Sequence, residues 1–230
     1  MSLALNILFL LAQGGSLLYF AVMNGLNLVF IFRAWWSIRG HLDDVDSDQL
    51  EAVFESTHYR PITLICPVYN EGPGCVASVS SLLALRFPEF QVVVVNDGSK
   101  DDTLDRLIAA FRLHPSRRVI RQLVPTKTIR GVYESAYVPN LTVVDKENGG
   151  KSDALNCGLN PARFPLVCCM DGDSLLENDA LLRVVRPFMD QKDVVASAGV
   201  IRPLNGCTVT PAGIRGIHMP GSWLARFQIV

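Results

Sequence analysis

The sequence predicts an α/β fold, a mostly parallel sheet with helices on both faces, preceded by an N-terminal transmembrane helix. Apolar segments of strand length alternate with segments of helical periodicity, and this alternation is typical of right-handed βαβ units. Turn-forming and polar residues follow several of the apolar segments. A separate uncharged segment of about 30 residues lies at the N-terminus, long enough for a membrane span.

Each element of the sheet domain is supported by its own pattern. Residues 91–95 include four consecutive valines, which suits a strand buried on both faces. Leu104, Leu107 and Phe111 recur at helical spacing, after aspartates that can begin a helix. The predicted strands are 62–69, 91–95, 141–145, 166–170 and 194–201, and the predicted helices are 76–85, 103–111, 152–160 and 181–188.

The N-terminal segment is predicted to cross a membrane. Residues 3–32 contain no charged side chain, Arg33 and Arg39 follow them, and no basic residue precedes them. The positive-inside rule then places the rest of the chain in the cytoplasm. A buried core helix is the alternative interpretation. We expect a single-pass protein of the inner (plasma) membrane, with a span at 1–36 and a linker at 37–59.

Composition excludes several classes of function. The net charge of −1 gives no electrostatic footprint for nucleic acid. The six cysteines include no C-x-x-C pair and fit no zinc site; we expect reduced thiols, buried at Cys66, Cys168 and Cys169. Residues 149–152 resemble the end of a P-loop, but Asp145 stands where its first glycine would be.

Residues 115–140 are basic and show little periodicity. They are predicted to form an excursion over the surface. Two interpretations stay open for this segment: contact with anionic lipid headgroups, or a plain solvated loop.

Acidic residues follow three of the predicted strands. Glu71 follows the first, Asp97 the second, and Asp171 and Asp173 the fourth. Ligands bind beyond the carboxyl ends of parallel strands, so these carboxylates are expected to converge on one crevice. Two aspartates one residue apart can share Mg²⁺ or Mn²⁺ together with substrate phosphates, and Lys151 could add a positive charge.

Over about residues 60–205 the chain resembles family-2 glycosyltransferases of GT-A fold. The membrane-bound branch is the most similar: synthases of cellulose, chitin, hyaluronan and poly-N-acetylglucosamine. Four motifs in the family's order carry the resemblance: PVYNE at 67–71, NDGS at 96–99, NGGKSDALN at 148–156 and DGDS at 171–174.

The resemblance implies a role for each motif residue. Tyr69 and Glu71 would line the nucleotide pocket, and Asp97 would hold the uracil of a UDP-sugar. Lys151 would contact the nucleotide or its diphosphate. The D-x-D element would bind the metal and the diphosphate through Asp173 and Asp171. An acceptor hydroxyl would then attack the anomeric carbon with inversion.

The sequence departs from the family in one respect. Family members carry a carboxylate general base in a Thr-Glu-Asp-like element some distance after the D-x-D element, and 174–230 contains no such element. The chain is therefore expected to be truncated, with no catalytic base before residue 230. The expected domains are a nucleotide-sugar domain at 60–205 and the start of an acceptor-side region at 206–230.

We expect a UDP-sugar donor, with N-acetylglucosamine or glucose as the sugar, and a growing polysaccharide as acceptor. A lipid bilayer and a partner membrane subunit are the other expected partners, and nucleic acid is not one. Two alternatives stay open: a non-processive transferase that acts on a lipid or protein, and an inactive chain that binds nucleotide only.

Overall fold

A computed structural model describes residues 3–42, 59–72, 74–200, 207–210 and 213–227. The chain divides into two compact units, Met1–Glu51 and Ala52–Val230. In the first unit one helix, α1, runs from Leu3 to Leu42. Its segment Asn6–Ser37 has a mean hydropathy of 1.7 and is long and apolar enough to cross a membrane.

Helix α1 continues six residues beyond the predicted end of the span at residue 36. No proline interrupts residues 33–42, so the backbone hydrogen bonds continue through the interfacial residues. The first six residues of the predicted linker are therefore helical, and most of the remainder, 43–58, lies outside the described residues.

The second unit contains a six-stranded sheet. Its elements up to residue 190 are, in chain order, β1 (Ile62–Val68), α2 (Cys75–Leu83), β2 (Phe90–Asn96), α3 (Thr103–Phe111), β3 (His114–Pro115), β4 (Ile129–Glu134), β5 (Leu141–Lys146), α4 (Lys151–Leu159), β6 (Leu166–Cys169) and α5 (Ala180–Asp190). The strands lie in the order β3-β4-β5-β2-β1-β6. Strands β5, β2, β1 and β6 are parallel, and β4 and β3 extend the sheet antiparallel.

The core of this unit lies on both faces of the central strands. Nearly every residue of β1, β2 and β5 is buried, and successive strand residues point to opposite faces. On one face Ala154 and Cys157 of α4 pack in a cluster with Ile65, Val93 and Val144. The predicted mostly parallel α/β sheet, covered on both faces, is thereby confirmed.

Two predictions about strands were wrong. Residues 129–134 form β4 within the segment expected to be an irregular excursion, because their hydrogen bonds come from pairing with β5 rather than from an apolar pattern of their own. Residues 194–200 form no strand, and Val195 and Val200 are exposed. A strand needs a neighbour that supplies its hydrogen bonds, and the described residues pair none with this segment.

The cysteines are all free, as expected, but they are not equally buried. Cys66 lies in the core, whereas Cys168 is half-buried and Cys169 is exposed. The two exceptions lie in β6, an edge strand of the sheet that is covered incompletely.

The end of the described chain forms a small separate sheet and a short helix. Strands β7 (Cys207–Thr210) and β8 (Gly213–Ile217) pair antiparallel, and α6 spans Trp223–Phe227. These elements fall in the region predicted to begin the acceptor side, and that role stays a prediction.

Candidate functional site

The ends of the parallel strands place the predicted site residues along one edge of the sheet. Val68 at the end of β1 is in register with Asn96 at the end of β2, which is in register with Asp145 of β5. On the other side of β1, the backbone N–H of Met170 donates to the carbonyl of Ile65. The turns after β1, β2 and β6 are therefore neighbours.

The turn after β1 is held against the turn after β2. Asn70 has a left-handed backbone with φ of 55°, a conformation that asparagine tolerates better than most residues. Its N–H donates to Ser99 Oγ at 3.0 Å, and its Oδ1 accepts the N–H of Lys100 at 2.8 Å. The N–H of Glu71 donates to Thr103 Oγ1 at 3.0 Å. These bonds fix the backbone at Asn70 and Glu71.

Glu71, Asp171 and Asp173 form what we call the acidic cluster. A Cβ on Gly172 would lie 2.6 Å from both Glu71 Oε2 and the Pro67 carbonyl oxygen. Only glycine therefore allows the D-G-D turn to lie against the Glu71 carboxylate. Burial, together with the charges of Asp173, Asp171 and Asp101, raises the pKa of Glu71. The cluster is thus short of positive charge.

The charges of the acidic cluster also affect the pKa of the buried thiol of Cys66. Burial raises the pKa of Cys66 to about 12, with further contributions from the charges of Glu71, Asp171 and Asp173. Cys66 is therefore a neutral core side chain at physiological pH, and we assign it no chemical role.

Lys151 places a positive charge beside the D-x-D element. It begins α4 and forms an ion pair with Asp171. Both side chains are more than half exposed, at 62% and 51%, so the pair contributes only about 0–1 kcal/mol. An anionic ligand could therefore displace or share this contact at small cost.

Asp97 lies in a different environment, among donors of the protein itself. Its Oδ1 accepts hydrogen bonds from Lys146 Nζ at 2.7 Å and from the N–H of Gly149 at 2.9 Å. Its Oδ2 accepts the N–H of Gly150 at 2.8 Å. The side chain is 5% exposed. The carboxylate at the end of β2 thus anchors the loop that leads to Lys151.

Lys146 was missed by the sequence reasoning, which ended the predicted strand at residue 145. It is the last residue of β5 and is fully buried. Its ammonium contacts Asp97, Asp153 Oδ2 at 2.6 Å and the Glu147 carbonyl at 2.6 Å. We call Asp97, Lys146 and Asp153 the buried ion cluster.

Opposing effects set the protonation of this cluster. Burial alone lowers the pKa of Lys146, but hydrogen bonds with Asp153 and Asp97 outweigh it, and the pKa is raised. The hydrogen bond from Lys146 is also the main cause of the lowered pKa of Asp153. At neutral pH Lys146 and Asp153 are therefore both charged, which is the arrangement expected when carboxylates accept hydrogen bonds from a buried lysine.

The structure brings the predicted site residues together in two groups. Lys151 joins the acidic cluster through Asp171, whereas Asp97 belongs to the buried ion cluster. The loop from Asn148 to Lys151 connects them. Tyr69 is 45% exposed and lies where β1 ends, beside these turns.

The acidic cluster has oxygen ligands that suit a hard divalent cation. Its carboxylate oxygens are the ligands that Mg²⁺ and Mn²⁺ accept, and such ions commonly take only one or two carboxylates plus substrate phosphates. Over the described ranges, no group of three or more His, Cys, Asp or Glu is placed to hold a metal ion by itself. The acidic cluster therefore suits a divalent cation that is also bound by an anionic ligand, such as a phosphate group.

Comparison with known proteins identifies the family. The model of glycosyl transferase family 2 matches residues 63–124 and 125–216. The match covers more than half of the chain, and the chain belongs to this family. The resemblance carried by the four motifs is thereby confirmed.

Curated relatives include two polysaccharide synthases. The poly-beta-1,6-N-acetyl-D-glucosamine synthase of Staphylococcus epidermidis is 27% identical over 156 residues, which cover 67% of this chain and 32% of that protein. The synthase of the same name from Staphylococcus aureus (strain COL) is 25% identical over 167 residues, covering 72% and 32%. The chain thus spans about a third of the length of these relatives.

Solved structures give partial matches of low overall similarity. TarS 1-349 of S. aureus in complex with UDP-GlcNAc is 26% identical with a TM-score of 0.41, covering 56% of this chain and 31% of that one. The mannosyltransferase PcManGT of Pyrobaculum calidifontis, in complex with GDP-Man and Mn²⁺, is 23% identical with a TM-score of 0.44, covering 60% and 37%.

Proposed function

We propose that this chain carries the donor-binding part of an inverting glycosyltransferase that transfers a sugar from a UDP-sugar to a growing polysaccharide. One observation carries the proposal. The acidic cluster and the Lys151 cation meet at the carboxyl ends of parallel strands, in a chain of glycosyl transferase family 2. Ligands of parallel α/β sheets bind at this edge.

In this proposal different residues bind different parts of the UDP-sugar. Asp97 faces the nucleobase and accepts a hydrogen bond from it, with Tyr69 and Glu71 lining the same pocket. Lys151 leaves or shares its contact with Asp171 to meet the diphosphate. Asp171 and Asp173 would hold Mg²⁺ or Mn²⁺, and the bound ion would supply positive charge to the diphosphate that leaves.

The transfer step needs an acceptor hydroxyl in line with the bond that breaks. Attack on the anomeric carbon displaces UDP and inverts the configuration there. A general base takes the hydroxyl proton, and we assign that role to no described residue. The donor half of the reaction is therefore what these residues account for.

The names of the relatives support N-acetylglucosamine as the sugar and a polysaccharide as the acceptor, with glucose as the other candidate. The apolar helix α1 supports a membrane location with the sheet domain on the cytoplasmic side. A bilayer and a partner membrane subunit belong to the same proposal.

The test is a calorimetric titration of the detergent-solubilised chain with UDP, with and without Mg²⁺ or Mn²⁺. We expect metal-dependent binding that Asp173→Asn weakens about tenfold or more, because a metal ligand loses its charge. Glu89→Gln is the matched control, since Glu89 is exposed and lies on the opposite, amino-terminal side of β2. A folded chain that binds no UDP in either metal would refute the proposal.

A further inference from the structure

The carboxylate of Asp97 has one acceptor position left over. A carboxylate offers about four such positions, two on each oxygen. Oδ1 uses two, for Lys146 and Gly149, whereas Oδ2 uses one, for Gly150. The described residues supply no further donor to Oδ2. Asp97 therefore presents a single vacant acceptor position from an otherwise filled carboxylate.

Lys146 decides which oxygen keeps that vacancy. An ammonium has three N–H donors, and those of Lys146 have three acceptors: Asp97 Oδ1, Asp153 Oδ2 and the Glu147 carbonyl. Because the side chain is fully buried, it cannot turn to water instead. The ammonium is thus locked, and Asp97 is locked with it.

We propose that Lys146 is the positioning residue that determines nucleobase choice, by holding Asp97 as an acceptor-only carboxylate with its vacant position on Oδ2. This inference rests on the proposed function, in which Asp97 faces the base. A carboxylate paired with an ammonium has no proton to donate. The site therefore takes a nucleoside diphosphate whose base offers a ring N–H, as uracil and guanine do, and rejects cytosine and adenine, whose equivalent ring nitrogen is an acceptor.

The low exposure of Asp97 makes this selection strict. Only 5% of its side chain reaches solvent, so a base that meets Oδ2 leaves little room for water between them. A base with an acceptor at that point would leave two acceptors facing each other without a donor. Sites with buried, unmatched polar groups discriminate strongly against the wrong ligand.

The decisive variant removes Lys146 without changing the net charge of the buried ion cluster. In the wild-type chain Lys146, Asp97 and Asp153 sum to −1. In Lys146→Met with Asp153→Asn only Asp97 is charged, which again gives −1. The single variant Asp153→Asn is the matched control, because it keeps the Lys146–Asp97 bond. Circular dichroism and a thermal melt establish that each variant is folded.

The measurement is calorimetry of the full chain in detergent with UDP and CDP. We expect wild type and Asp153→Asn to bind UDP at least about tenfold more tightly than CDP. In the double variant Asp97 loses the bond from Lys146 that orients it, so the carboxylate can turn to accept a hydrogen bond from the exocyclic amino group of cytosine, and the ratio falls to about threefold or less. A merely structural role for Lys146 would weaken both ligands equally and leave the ratio unchanged.

A second probe needs no variant. UDP methylated at the ring N–H of uracil should bind wild type at least about tenfold more weakly than UDP. Equal binding of UDP and methylated UDP, or a UDP preference that survives in the folded double variant, would overturn the role of Lys146 and leave the proposed function standing. Absence of any UDP binding to wild type would instead refute the proposed function itself.

Discussion

The two charged groups at this edge of the sheet are built in opposite ways. The buried ion cluster places a fully buried ammonium between two carboxylates, with distances of 2.7 and 2.6 Å. The acidic cluster brings three carboxylates near one another, and Lys151 beside it is more than half exposed. In the first group each carboxylate contacts a cation of the protein, whereas in the second the described ion pairs supply a cation to Asp171 alone.

The difference separates a structural role, which we assign to the buried ion cluster, from a ligand-binding role, which we assign to the acidic cluster. Compensated charges in a dry setting stabilise one arrangement of the loop around Gly149 and Gly150. Uncompensated carboxylates oppose folding slightly and favour a cation or a donor-rich ligand. Three substitutions test this contrast, because the two clusters should respond to charge removal with opposite signs.

The largest effect is expected for Lys146→Met. The buried Asp97 and the half-buried Asp153 would be left without their cation, and breaking a buried pair in this way costs about 3–5 kcal/mol. Urea unfolding of the detergent-solubilised chain, monitored by far-ultraviolet circular dichroism, measures the loss in the free energy of unfolding. Lys192→Met is the control: Lys192 is exposed, and its replacement should change stability by less than about 0.5 kcal/mol. Equal stability of the two variants would remove the buried ion cluster as a structural anchor.

An intermediate effect is expected for Asp153→Asn, and it should depend on pH. The hydrogen bond from Lys146 lowers the pKa of Asp153 in the folded chain. Its stabilisation is therefore present above the pKa of an unfolded aspartate, about 3.9, and is lost as pH falls through the lower folded value.

Asp153→Asn should accordingly cost about 1–2 kcal/mol at neutral pH, and its stability should fall less steeply than that of wild type below about pH 4. Thermal melts between neutral pH and that acid range provide the comparison. An acid limb with the same slope in both proteins would show that the folded state does not perturb this carboxylate.

The smallest effect is expected for Glu71→Gln, with the opposite sign. Removing one charge of the acidic cluster relieves burial of a carboxylate beside Asp173 and Asp171, whose charges raise the pKa of Glu71. The free chain should gain a few tenths of a kcal/mol, on the order of 0.5 kcal/mol. Glu89→Gln, at an exposed position, is again the control. A loss of stability in Glu71→Gln alone would mean that its carboxylate is held by favourable contacts.

Much of the fold and of the acidic cluster could be predicted from the sequence. Four valines in succession at 92–95 predict a strand buried on both faces, and that is what β2 is. The motif residues Glu71, Asp171 and Asp173 follow strands that lie side by side. Parallel strands bring their carboxyl ends to one edge, so proximity follows from element order without knowledge of the packing.

The two wrong predictions about strands share a cause that lies outside the local pattern. Strand β4 has no strong alternation of its own and exists because β5 offers it a partner. Residues 194–200 have the composition of a strand, yet they pair with nothing in the described part of the chain. Hydrogen bonds between strands depend on the strand alongside, which the composition of a single segment does not specify.

The sequence by itself determined the membrane-span candidate, the βα alternation and the motif positions, because apolar periodicity and turn chemistry act over a few residues. Only the tertiary structure decided that Lys146 is buried between Asp97 and Asp153. A lysine at the end of a strand is ordinarily solvated. Its burial becomes favourable only when two carboxylates 49 positions before it and 7 after it reach the same ammonium, and folding alone brings them there.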